Sequence, residues 1–121
     1  MTIKFRLWDY AYHQWDVPTV IEIDDSGQID RVIGYGDTYN AERIEIMQFS
    51  GVKDSVGKEI YEGDIVTFDT TCGNAGNHVV KLDKGTFWPL DDITLSMSRN
   101  LKVIGNLYEN PELVEVKEDE D

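Results

Sequence analysis

Two histidines and one cysteine, His13, His78 and Cys72, are the soft donors that a metal ion or a thiol nucleophile would require. Their spacing matches no zinc motif, and a structural zinc site takes four ligands. Cys72 with His78 supplies a nucleophile and a base, but no third orienting residue or oxyanion-hole loop accompanies them. Acid pairs stand at Asp24–Asp25 and Asp91–Asp92. Adjacent carboxylates in a turn point apart into water, so they read as solvated turns rather than as a magnesium or acid–base site. Gly34-Tyr-Gly-Asp37 and Cys72-Gly-Asn-Ala-Gly76 have the glycine content of phosphate loops. Neither has the Lys-Ser/Thr ending and following helix that make a phosphate cradle. No enzyme, metal or other cofactor is expected, and no small-molecule substrate.

The remaining concentration of chemistry is aromatic. Trp8, Tyr10, Tyr12 and Trp15 cluster in sequence and form the candidate interaction surface. Most of this cluster is expected in the core, because aromatic side chains dominate burial in a small β domain. Any face left exposed would suit a protein contact or a subunit interface. Stacking on nucleic acid needs interleaved basic residues, and here only Arg6 is at hand.

These residues must be positioned by short strands. Thr2–Trp8 reads as a first strand ending at Asp9, and Tyr10–Trp15 as a turn into a second extended piece, with Pro18 marking an edge. Val20–Ile23 and Gln28–Ile33 flank a hairpin turn at Asp24–Gly27. Gly34–Asn40 reads as a loop; Ala41–Phe49 fits a short helix or a strand, and the alternation of Ile44 and Ile46 with Glu45 and Met47 favours the strand. Lys53–Gly57 is a tight connection in which Gly57 takes a positive φ. Glu62-Gly-Asp64 is a second reversal, its Asp accepting local backbone N–H groups before Ile65 and Val66. Ile65–Phe68 and His78–Leu82 are strands about a polar loop at Asp69–Asn77. Phe87–Leu90 is a further apolar piece. Leu101–Tyr108 is the last strand, with Gly105 marking a bulge or a close backbone approach, and Asn110 caps a short helical turn opened by Pro111. Many short strands with regular turns predict a mainly β fold, a small SH3-like barrel or roll of antiparallel strands with an additional N-terminal β segment and little helix.

Four stretches carry a family pattern in order. They are Phe5-Arg-Leu-Trp-Asp9, Met47-Gln-Phe-Ser-Gly-Val-Lys-Asp54, Gly57-Lys-Glu-Ile-Tyr-Glu-Gly-Asp-Ile-Val66 and Val103-Ile-Gly-Asn-Leu-Tyr-Glu-Asn-Pro-Glu-Leu113. Together they resemble the YopX proteins of bacteriophages and prophages, over nearly the whole chain from Ile3 to Leu113. The resemblance implies a mostly β domain with an SH3-like roll, encoded by a phage and oligomeric. It carries no catalytic residue and no settled activity.

Charge and length bound the rest. The chain has 121 residues and a net charge of −13. From Glu112 onward six acids face only Lys117, a net −5, so the body of the chain is itself acidic. Such a charge disfavours direct binding to nucleic acid or anionic lipid. No apolar run reaches the roughly 18 residues of a membrane span, and the amino terminus lacks the pattern of a signal peptide. A single domain over 1–113 with an acidic, disordered tail over 114–121 is expected, in the cytoplasm of a bacterial host. The expected function is that of a noncatalytic, self-associating accessory module that binds itself and a phage or host protein. An acidic DNA mimic that inhibits a host DNA-binding protein is the second reading, and an enzyme with an unrecognised site the third.

Overall fold

The computed structural model describes residues 3–70, 73–83, 85–90 and 100–114. The fold is mainly β, with a curled half-barrel sheet and several small antiparallel sheets, as the turn pattern and the family resemblance both predict. Contacts gather into two compact units, Met1–Gln48 and the chain from Phe49 onward.

The first unit contains β1 (Phe5–Asp9), β2 (Gln14–Asp16), β3 (Pro18–Ile23), β4 (Ile29–Gly34), β5 (Thr38–Asn40) and the first part of β6 (Ile44–Lys53). β1 pairs antiparallel with both β2 and β6, setting Trp8 opposite Trp15 on one side and Glu45 on the other. β3, β4 and β5 form a second antiparallel set in that order, so Pro18 begins an edge strand, where a missing N–H costs no ladder bond. β5 is a strand within the stretch predicted as loop: Val32 pairs with Tyr39, and the Tyr39 ring is buried. Burial of that aromatic face outweighs the turn propensity of the glycines around it. The core of the unit is Leu7, Val32, Tyr39 and Ile44, with Ile21 and Ile46 packed against them. A 3-10 turn, Ala41–Arg43, leads into β6.

The second unit holds the rest of β6, then β7 (Glu59–Tyr61), β8 (Asp64–Thr70), β9 (Gly73–Val79), β10 (Lys81–Asp83), β11 (Thr86–Trp88) and β12 (Lys102–Asn106). β12, β8 and β9 pair in that order, and β10 pairs with β11. The polar stretch predicted as a loop at Asp69–Asn77 is instead largely strand, with Thr67 opposite Asn77 and Asp69 opposite Asn74. Ladder partners thus override the low β propensity of Asn and Gly. The strand predicted over His78–Leu82 is interrupted at Val80, whose N–H donates to the Asp64 carbonyl and whose carbonyl accepts from Gly63. Ile60, Val66, Phe68, Val80 and Leu101 form this unit's core.

Two turns share one construction. Asp24 and Asp54 each bond their own backbone N–H to the carbonyl four residues on, while the glycine three residues on donates back to the aspartate carbonyl. In both, the aspartate Oδ1 also accepts the N–H groups two and four residues later. Gly57 closes the second turn at a φ of +90°, the conformation predicted for it. Asp54 is buried, and its Oδ2 reaches the Val103 N–H at 3.0 Å. Asp64 accepts the Tyr61 N–H at 2.8 Å, as an acid before a strand start is expected to do. The predicted bulge in β12 is present, the register shifting between Val103 and Gly105. Asn110 does not cap its helical turn through the side chain. Its Oδ1 accepts the Asn106 N–H instead, bracing the end of β12.

A candidate interaction cleft on the first unit

Asp9 ends β1 and is buried. Its Oδ1 accepts the Ala11 N–H and the Arg43 Nε, each at 2.9 Å, and its Oδ2 accepts Arg43 Nη2 at 2.8 Å. This two-pronged pairing fixes the guanidinium plane. Arg43 also reaches Asp37 through Nη1 at 3.2 Å. Its guanidinium carbon lies 4.9 Å from the Tyr39 ring centre and 5.1 Å from that of Tyr12. The 3-10 turn before β6 therefore delivers one cation among two carboxylates and two tyrosine faces.

Asp16 ends β2 and is held from four directions. Its Oδ1 accepts the N–H groups of Val17 and Tyr35, at 2.7 and 3.2 Å. Its Oδ2 accepts the Gly36 N–H at 2.9 Å and the Tyr39 hydroxyl at 2.7 Å. The approach is too close for a side chain at residue 34, since a Cβ there would stand 2.5 Å from Asp16 Oδ2. Gly34-Tyr-Gly36 is thus an anion cradle filled by the protein's own carboxylate, not a phosphate site.

Asp9, Asp16, Asp37 and Arg43 line an open cleft of about 430 Å³ with Tyr12, Gln14, Trp15, Tyr35, Gly36 and Tyr39. Arg43 holds the Asp9 carboxyl below its ordinary range, with the Ala11 N–H adding to the effect against burial. Burial pushes Asp16 up, but the Tyr39 hydroxyl and the backbone N–H groups outweigh it and the net shift is downward. Burial and the Asp16 carboxylate push the Tyr39 hydroxyl up. At neutral pH both acids are therefore ionised and Tyr39 is protonated, and none of the three titrates there. A general base works best with a pKa near the operating pH, which these carboxylates lack.

The four aromatic residues singled out in the sequence are dispersed. Tyr12 and Trp15 line the cleft. Trp8 is buried, meeting Trp15 edge-on with ring centres 4.9 Å apart, and belongs to the core. Tyr10 is exposed, and its hydroxyl donates to Glu45 at 3.3 Å. Arg6 lies over the Trp15 ring at 4.4 Å. His13 sits at a φ of +54° with its ring 6.0 Å from that of Trp8. His78 stacks on Phe68 and meets Trp88 edge-on, both at 5.4 Å. Among the described residues no three His, Cys, Asp or Glu side chains are placed to hold a metal ion together. Cys72, the Asp91–Asp92 pair and the tail beyond residue 114 lie outside the described residues.

The sequence reading missed Asp9, Asp16, Tyr35, Tyr39 and Arg43 as parts of one cleft. Its only local signal was the pair of glycines flanking Tyr35.

A family described as YopX protein matches residues 4–115. The chain belongs to the YopX family. Protein EF1440 from Enterococcus faecalis, known from a crystal structure, is similar over 95% of this chain and 99% of its own, with 29% identity and a TM-score of 0.74. No curated protein matched. The YopX match includes every residue of the cleft and most of both units.

Proposed function

We propose that this YopX protein is a noncatalytic accessory module of phage or prophage origin that acts by binding protein, and that the cleft is its contact face. The observation that carries this reading is the cleft itself. The Asp9 and Asp16 carboxylates are spent on holding backbone, tyrosine and arginine, while tyrosine, tryptophan and arginine, the residues that dominate binding energy at interfaces, line its surface. Tyr12 and Tyr35 are 67% and 80% exposed, so large aromatic area stands ready to be buried by a partner. The partners are a second copy of the chain and an unidentified phage or host protein, and no cofactor takes part. The phage setting comes from the family resemblance of the four sequence motifs.

Native mass spectrometry at micromolar concentration tests the self-association. Oligomers of the native chain are expected. A chain that is monomeric throughout would remove that part of the reading.

A further inference from the structure

We propose that the cleft receives a basic, arginine-bearing segment of a partner protein. This rests on the cleft being a contact face and adds the chemistry of what enters it. Three carboxylates, Asp9, Asp16 and Asp37, and one guanidinium, that of Arg43, line the cleft, so its lining carries a net negative charge. The field of the rest of the chain has the same sign, at −13 overall. A nucleic acid or an anionic membrane is repelled by such a surface, and a cationic segment is steered to it.

The aromatic lining narrows the choice further. The protein's own Arg43 already shows what these walls accept, a guanidinium set against tyrosine faces with carboxylates at its edge. A second guanidinium finds the same elements in the exposed part of the lining. Tyr35 and Tyr12 supply exposed ring surface, and Asp37, whose side chain is half exposed, supplies a carboxylate. A planar guanidinium stacks on a ring and pairs with a carboxylate at once, which a lysine ammonium does less well. The internal Arg43 stays in place, because Asp9 is committed to it through both oxygens.

The test is a titration of the full-length, 15N-labelled chain with a ten-residue peptide alternating arginine and glycine. A matched peptide carries neutral citrulline in place of arginine. Amide shifts are expected to concentrate at Tyr12, Gln14, Tyr35, Gly36 and Asp37. The citrulline peptide should bind at least about tenfold more weakly, as should the arginine peptide to the Tyr12→Ala/Tyr35→Ala variant. Asp37→Asn preserves the shape of the cleft and should also weaken binding, with the amide spectrum elsewhere unchanged.

Shifts centred on the Asp24–Asp30 hairpin or on the acidic end of the chain overturn the proposal, as does the absence of shifts at the cleft. Equal binding of the two peptides at the cleft overturns charge as the selector while leaving the cleft a contact face. Dimers that occupy the cleft without peptide assign it to a second copy and overturn the proposal too. The underlying reading fails separately, if the double variant keeps every partner and oligomer of the native chain.

Discussion

At the scale of residues, aspartate does most of the organising, and it does so as an acceptor of backbone hydrogen bonds. Asp16 gathers three N–H groups and the Tyr39 hydroxyl at one point. Replacing it with alanine leaves those donors facing an empty cradle and should lower stability by about 1–3 kcal/mol in denaturant unfolding. Formate should partly restore the stability of Asp16→Ala, because a small carboxylate fits the vacated cradle. Acetate or formate without effect would show that the cradle collapses. The pKa directions lead to a pH prediction of definite sign. Asp9, Asp16 and Asp54 are all held below their ordinary values in the folded chain, so the unfolded chain takes up protons first. Their stabilisation is present above about pH 4, the ordinary aspartate range, and is lost as pH falls through the lower folded values. Thermal unfolding followed from pH 6 to pH 2 should show this acid limb, and Asp54→Asn should make it shallower. Little of this network was legible beforehand. The carboxylates of Asp9 and Asp16 meet partners 19 to 34 residues away, a distance over which sequence spacing carries no signal.

At the scale of elements, strand positions were far more legible than strand partners. Alternating β-branched and aromatic residues placed β1, β3, β4 and β12, and Pro18 fell on an edge as its missing N–H requires. The two stretches read as loops, Gly34–Asn40 and Asp69–Asn77, both contain strand. In each, pairing with a neighbour far stronger in β character overrides a composition rich in Gly, Asn and Asp. The turn from Asp54 to Lys58 shows the opposite case, a local structure written wholly in local sequence. It also ties to β12 through the Val103 N–H. Asp54→Ala should therefore cost about 1–3 kcal/mol, more than an exposed turn residue costs. Hydrogen exchange should report faster opening at Val56, Lys58 and Val103 together. Protection lost at only the first two would show that the bond to β12 contributes nothing.

At the scale of the whole molecule, membership in the YopX family and likeness to EF1440 cover both units, so the fold belongs to the family rather than to a local motif. The run from Gly51 to Val66 carries much of that recognisable pattern, yet it builds turns and core. Ile60, fully buried in it, should cost about 2–5 kcal/mol when replaced by alanine. The cleft lies instead on the unit from Met1 to Gln48. The central claim, that this cleft is where the protein meets its partner, is tested most directly by paired affinity capture. Native chain and Tyr12→Ala/Tyr35→Ala are each used as bait in lysate of the host cell, after matching thermal unfolding confirms that both are folded. The account predicts that at least one protein captured by the native chain is lost with the double variant. The same captured set, in the same amounts, would contradict it.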